Sequence, residues 1–324
     1  MKVSVYKKSW PIRGHFTISR GSKTQADTLI VQLEQDGAIG RGECVPYARY
    51  DESIESVEKQ IHVVTAALES GLSRESLQDL LPSGAARNAI DCAMWDLECK
   101  LNHQTIWERA HHSASSVVTA FTLSLDTPEK MEAAAKENAQ RPLLKLKLGG
   151  AGDLARVQAV RHGAPNARII LDANEAWTRE DYQLLVPELV KLDVDMIEQP
   201  FPAGDDALLE TLERPIPICA DESCHDRSSL PQLTNRYDMI NIKTDKTGGL
   251  TEALALKKAA LAAGFEVMVG CMLSSSLSMA PAFVVAQDVA VVDLDGPLLL
   301  SEDIEHGFTF EDNVMLPFTP QLWG

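Results

Sequence analysis

The sequence predicts an α/β fold, a (β/α)-barrel of TIM type preceded by an N-terminal α+β capping domain. Three observations predict it. Six short apolar runs, at 142–147, 169–172, 195–198, 216–221, 239–243 and 291–295, each end in a charged residue. The charges at 147, 172, 198, 221 and 243 lie 25, 26, 23 and 22 residues apart, about the length of one strand–helix unit in a fold whose eight units take roughly 250 residues. The first ~110 residues read differently, as strands followed by helices, which is the pattern of an α+β unit. The expected division is a capping domain over 1–112, a barrel over 113–298 and a segment over 299–324 that returns to the capping domain.

A chain of 324 residues holds one large domain and a smaller one. Its 45% hydrophobic and 24% charged residues are those of an ordinary globular protein. A formal net charge of −17 argues against a nucleic-acid partner, whose phosphates need a basic footprint. It does not argue against a small anionic substrate, because a few Lys or Arg can dominate one pocket. Cys44, Cys92, Cys99, Cys219, Cys224 and Cys271 are scattered, with no C-x-x-C pair, so zinc and redox readings are weak. The start alternates like a strand and carries no signal region, and no apolar run of about 18 residues exists to span a membrane. The expectation is a cytoplasmic protein whose cysteines are small core residues. A homo-oligomer is left open.

The elements follow in order. Residues 28–33 are strand-like, Gln35-Asp-Gly-Ala38 is a hairpin turn, and 39–43 returns. A helix over 53–70 carries Ile54, Val57, Ile61, Val64 and Leu68 at helical spacing and stops at Gly71. A second helix follows Gly84, with Ala86, Ala89, Ile90, Ala93, Met94 and Leu97 in one stripe. Residues 117–123 supply the first barrel strand, the six runs supply six more, and 265–270 fills the gap before the last. That makes eight strands and a closed barrel. The helix over 251–263 is punctuated by Gly264.

Charged groups at the carboxyl ends of barrel strands meet at one mouth, where the chemistry of this fold sits. Side chains two residues apart share a strand face, so Lys145 with Lys147, Asp172 with Asn174, Lys243 with Asp245 and Asp293 with Asp295 are expected at that mouth. Asp172, Glu198 and Asp221 come from consecutive strands. Unpaired, three buried carboxylates would repel one another at a cost of several kcal/mol per ion. A hard divalent cation resolves this, and oxygen-only ligands favour Mg²⁺. The alternative is a network in which barrel lysines pair with the acids. Lys147 and Lys243 stand on strands two and six, across the barrel, and so approach a bound substrate from opposite faces. A lysine base must be neutral, and Mg²⁺ together with Lys145 would lower the amine pKa of Lys147 by like-charge repulsion. The arrangement suits removal of a proton beside a carboxylate, with the metal stabilising the enolate and the second lysine returning the proton to the other face.

With these residues the chain resembles the enolase superfamily, in its muconate-lactonising branch. The resemblance is carried by Lys145-Leu-Lys147, Asp172-Ala-Asn174, Glu198-Gln-Pro200, Ala220-Asp-Glu-Ser223 and Lys243-Thr-Asp-Lys-Thr-Gly-Gly249, and it extends to residues 85–96 of the first domain. Within the branch, Gly42-Glu-Cys-Val-Pro-Tyr47, Ile218-Cys-Ala-Asp-Glu-Ser-Cys-His225, Gly270-Cys-Met272 and Asp293-Leu-Asp-Gly296 are most similar to the dipeptide epimerases. The resemblance implies a Mg²⁺-dependent isomerase that inverts the C-terminal residue of an L-Ala-Glu type dipeptide, in murein-peptide recycling. It implies Lys147 and Lys243 as the acid/base pair and Asp172, Glu198 and Asp221 as metal ligands. Asp293 and Asp295 would bind the substrate ammonium group, and Lys145, Thr122, Met272 and Arg20 would contact the substrate, Arg20 through an acidic side chain. Tyr47 and Tyr50 would wall the pocket. An o-succinylbenzoate synthase or an N-acyl amino acid racemase would use the same metal and lysines without needing Asp293 and Asp295. A non-catalytic barrel that binds peptide is the remaining reading.

Overall fold

A computed structural model describes residues 1–324. Strands β1 (Lys2–Ile18), β2 (Gly21–Gln35) and β3 (Ala38–Cys44) form an antiparallel sheet in the order β1-β2-β3. Three helices follow: Ile54–Glu69, Arg74–Leu80 and Ala85–Leu101. The first starts at a reciprocal cap in which Ser53 and Ser56 satisfy each other's backbone N–H groups. Its buried residues, Val57, Ile61, Val64 and Leu68, lie in the sequence-expected stripe. The helix Ala85–Leu101 rests directly on β3. A Cβ on Gly40 would lie 2.2 Å from the Ala93 carbonyl oxygen, and one on Gly42 would lie 2.1 Å from that of Ala89. Those two glycines are what let a helix backbone approach the strand so closely.

After a short helix at Ile106–Ala110, β4 (Val117–Val118) precedes the eight barrel strands: β5 (Phe121–Leu123), β6 (Leu143–Lys147), β7 (Arg168–Asp172), β8 (Val194–Glu198), β9 (Ile218–Ala220), β10 (Met239–Ile242), β11 (Glu266–Gly270) and β12 (Val291–Asp293). They pair in parallel and in sequence order. The seam between β12 and β5 is bridged where the Ala120 N–H donates to the Val292 carbonyl at 2.8 Å. Outward-facing residues such as Leu144, Leu146, Ile169, Leu171 and Ile197 join the helices in one large apolar cluster.

The first strand differs from the sequence expectation. Val117–Val118 does not continue into the barrel. It pairs antiparallel with β14 (Val314–Met315), which pairs with β13 (Phe310–Glu311). The chain turns between the two sheets at Thr119 and Ala120, whose N–H groups go to Asn313 and Val292. The β-branched run reads as a strand whichever sheet takes it. The tail also reaches the capping domain: Arg41 Nη2 donates to the Gln321 carbonyl at 3.0 Å, and the Gly324 N–H donates to Asp96 Oδ1 at 2.7 Å.

Candidate active site

The barrel interior is layered. Its floor is one apolar residue from each strand: Ala120, Leu143, Ile170, Met196, Cys219, Met239, Met268 and Val291. The period of two along a strand puts the next inward residue two positions further toward the mouth. Those residues are Thr122, Lys145, Asp172, Glu198, Asp221, Asn241, Gly270 and Asp293. The polar layer is therefore fixed by the apolar one beneath it. Gly270 leaves room for its neighbour, since a Cβ there would lie 2.7 Å from Asn241 Oδ1. Asn241 Nδ2 in turn donates to Glu198 Oε1 at 2.7 Å.

Ammonium groups are threaded among the carboxylates. Lys145 Nζ lies 2.7 Å from Asp293 Oδ2, 2.7 Å from Glu198 Oε2 and 3.3 Å from Asp172 Oδ2. Lys147 Nζ is 2.5 Å from Asp172 Oδ2, and Lys243 Nζ is 2.6 Å from Asp221 Oδ2. Burial disfavours the charged form of Lys145 and Lys243. Pairing outweighs it, with Asp293, Glu198 and Asp172 for the first and Asp221 and Glu198 for the second, and both amines stand well above their ordinary range. Asp172 shows the complementary effect. Burial raises its pKa, Lys147 and Lys145 lower it, and the result is about 2. Glu198 moves up, chiefly through burial and then through Asp172.

Asp172, Glu198 and Asp221 are all buried. As the side chains stand, no three of them gather around a point that would hold a metal ion, because lysines lie between them. The donor chemistry nonetheless suits a hard cation: three buried carboxylates on adjacent strands offer only oxygen ligands, and the one cation that Glu198 meets is Lys145.

Two residues in this layer escaped the sequence reading. Lys246, fully buried, donates to Asp221 Oδ1 at 2.6 Å, to the Asp221 carbonyl at 2.6 Å and to the Asn241 carbonyl at 2.9 Å. It was visible as the second lysine of the 243–249 motif. Gln199, at a φ of 37°, accepts from the Asp221 N–H at 2.9 Å and donates to Tyr237 Oη at 2.9 Å. Both hold Asp221 in place. Asp245 is a correction. The strand ends at Ile242 and a helical turn spans Thr244–Thr247, so the period of two no longer applies. Asp245 Oδ1 instead accepts from the Val45 N–H at 3.0 Å and from Asn88 Nδ2 at 2.8 Å, tying the capping domain to the barrel.

A cavity of about 860 Å³ opens above this layer. Lys147 and Lys243 both line it, from β6 and from the end of β10, strands that stand opposite in the eight. Met272 lines it as well, and Arg20, Tyr47 and Tyr50 wall it from the capping domain. Lys145, Asp172, Glu198, Asp293, Asp295 and Thr122 are not among its lining residues. Asp295 Oδ2 accepts from the Thr122 N–H at 2.6 Å. Burial first and then Asp293 push the Asp295 carboxyl up to about 7. Asp293 Oδ1 is buried and has no partner. Two nitrogens on facing walls can act on opposite faces of one carbon atom held between them.

Two family models match the chain. Residues 1–109 match the "Mandelate racemase / muconate lactonizing enzyme, N-terminal domain", and residues 129–319 match the "Enolase C-terminal domain-like" model. Among curated proteins, an L-Ala-D/L-Glu epimerase of Escherichia coli (strain K12) is 47% identical over 311 residues, 95% of this chain and 97% of its own. An N-acetyl-D-glutamate racemase of Pseudoalteromonas sp is 45% identical over 298 residues, 91% and 95%. Among solved structures, an enolase family member from Agrobacterium tumefaciens with homology to dipeptide epimerases, with bound sodium and L-Ala-L-Glu, is 49% identical. It superimposes with a TM-score of 0.98 over 99% of both chains. A dipeptide epimerase from Enterococcus faecalis V583, complexed with Mg and L-Leu-L-Tyr, is 28% identical, with a TM-score of 0.91 over 98% of this chain and 96% of its own.

Proposed function

The chain belongs to the enolase superfamily, in its mandelate racemase/muconate lactonizing enzyme branch, and on that premise we propose that it is a Mg²⁺-dependent dipeptide epimerase. The substrate is an L-Ala-Glu type dipeptide, inverted at the α-carbon of its C-terminal residue, with a place in murein-peptide recycling. The observation that carries the reading is the pair Lys147 and Lys243 on opposite walls of one cavity. One amine takes the α-proton and the other ammonium returns a proton to the opposite face.

Charge supports the metal. The layer holds five carboxylates (Asp172, Glu198, Asp221, Asp293 and Asp295) against four ammonium groups (Lys145, Lys147, Lys243 and Lys246). With Asp295 ionised and one lysine serving as a neutral base, a charge of −2 remains, which one divalent cation balances. Asp172, Glu198 and Asp221 would hold the ion, which when bound supplies positive charge to the substrate carboxylate as negative charge builds there. Lys145 keeps Asp172 and Glu198 in place, and Lys246 and Gln199 do the same for Asp221.

Asp293 and Asp295 supply the dipeptide preference. A buried carboxylate oxygen with no partner, as at Asp293 Oδ1, is stabilised by a cation, and a free amino terminus is such a cation. A second reading, racemisation of an N-acyl amino acid, is favoured by the relative that is 45% identical. The two are separated by Asp295→Asn, which keeps an acceptor for the Thr122 N–H but removes the charge. An ionic hydrogen bond is worth about 1.5–3 kcal/mol, roughly 10- to 100-fold in kcat/KM. We expect that loss with L-Ala-L-Glu. N-acetyl-glutamate turnover that exceeds dipeptide turnover and is untouched by the substitution would favour the second reading.

A further inference from the structure

Above the catalytic layer, charged side chains from both domains meet at the rim of the cavity. Glu175 follows β7 in the barrel, one residue beyond Asn174. Its Oε2 and Oε1 accept from Arg49 Nε at 2.8 Å and Arg49 Nη2 at 2.7 Å, a two-pronged contact. Oε2 also accepts from Arg20 Nη1 at 3.2 Å, and Oε1 from the Ala203 N–H at 2.7 Å. Arg20 adds bonds from Nη1 to the Asn174 carbonyl at 3.1 Å, and from Nη2 to Tyr47 Oη at 3.1 Å and Glu222 Oε1 at 2.8 Å. Arg20 and Arg49 belong to two separate capping-domain segments, 16–25 and 46–50, and both segments line the cavity. Glu175 is the single barrel side chain that pairs with both.

The backbone beneath Glu175 is held in a costly shape. Asn174 has φ 46° and Glu175 has φ 65°, two successive non-glycine residues in the left-handed region. That shape presents the Asn174 carbonyl to Ser19 Oγ at 3.2 Å and to Arg20, and the Glu175 carboxylate to Arg49. The Glu175 side chain is 9% exposed, so its contacts are only partly screened by solvent.

We infer that Glu175 is a positioning residue that clamps segments 16–25 and 46–50 over the cavity and sets the guanidinium of Arg20 at its rim. The inference rests on the cavity being where the dipeptide binds. Closure over a substrate excludes water and holds the ligand. A loosened clamp therefore weakens binding more than it slows chemistry. Because Arg20 already carries Glu222 and Glu175 on its two terminal nitrogens, an acidic ligand side chain reaches those nitrogens by exchange with one of these carboxylates.

The clamp is read first without any substrate. In the ligand-free protein, Glu175→Gln should speed backbone amide exchange in 16–25 and 46–50 by about 10-fold or more, leaving the barrel strands and the helix Ala85–Leu101 unchanged. Arg49→Met should do the same from the capping side while leaving the 173–177 turn intact. With L-Ala-L-Glu, both variants should raise KM about 10-fold and change kcat less than about 3-fold. Wild-type exchange in the two segments in both variants would overturn the inference. So would faster exchange confined to 173–177 and 199–203, or equal losses in kcat and kcat/KM. Amide exchange needs no turnover, so the clamp can fail while the epimerase reading stands, and the reverse.

Discussion

Lys147→Ala and Lys243→Ala should each abolish epimerisation, lowering kcat by about a thousandfold or more, within the range a positioned acid or base contributes. The loss is one-sided. Each variant keeps the lysine on the other wall, so in D₂O it should still exchange the α-proton of one diastereomer and not of the other, and the two variants should have opposite preferences. The geometry makes the comparison clean. Without Lys147, Asp172 still has Lys145 at 3.3 Å, and without Lys243, Asp221 still has Lys246 at 2.6 Å. Neither substitution leaves a buried carboxylate without a cation, so the fold should survive, as unchanged circular dichroism would show. Epimerisation at the wild-type rate in either variant would contradict the two-base reading.

Removal of a divalent ion should give the second large effect. A chelator should reduce turnover to background, and Mg²⁺ should restore it. Glu198→Gln should weaken Mg²⁺ binding by at least about 100-fold, the upper end of what loss of a supporting group alone costs, measured by calorimetry on the substrate-free protein. The reason is the charge count. Four lysines already stand among five carboxylates, and with Asp295 ionised a neutral base leaves an excess of two negative charges, while Glu198 is fully buried with Lys145 as its one cation. Full turnover after exhaustive chelation would remove the metal from the mechanism.

Much of the fold was legible because its periods are short. Strand–helix intervals of 22 to 26 residues and alternation within each run point to eight strands with charges at one end, and the barrel has that form. Its first strand was placed correctly at Phe121–Leu123 but begun too early, since Val117–Val118 carries the same local signal in the small sheet with β14 as it would in the barrel. The site was legible as a set of inward positions and not as depths. Lys145 and Lys147 look equivalent at a spacing of two. Yet Lys145 lies one layer lower, enclosed by three acids, and only Lys147 reaches the cavity. Asp245 was misplaced because alternation stops where the strand does. Arg20 stands out in the sequence as a cation, but its partners Glu175 and Glu222 lie 155 and 202 residues away, beyond the reach of any local pattern.

Deuterium uptake from solvent reports α-proton transfer on a dipeptide without depending on which side chain the pocket prefers. The protein is incubated with Mg²⁺ and pooled L,L-dipeptides in D₂O, and the pools are read by mass spectrometry. A gain of one deuteron in L-Ala-L-Glu is expected, accompanied by formation of L-Ala-D-Glu. No mass gain in any pool, with Mg²⁺ bound, would contradict it.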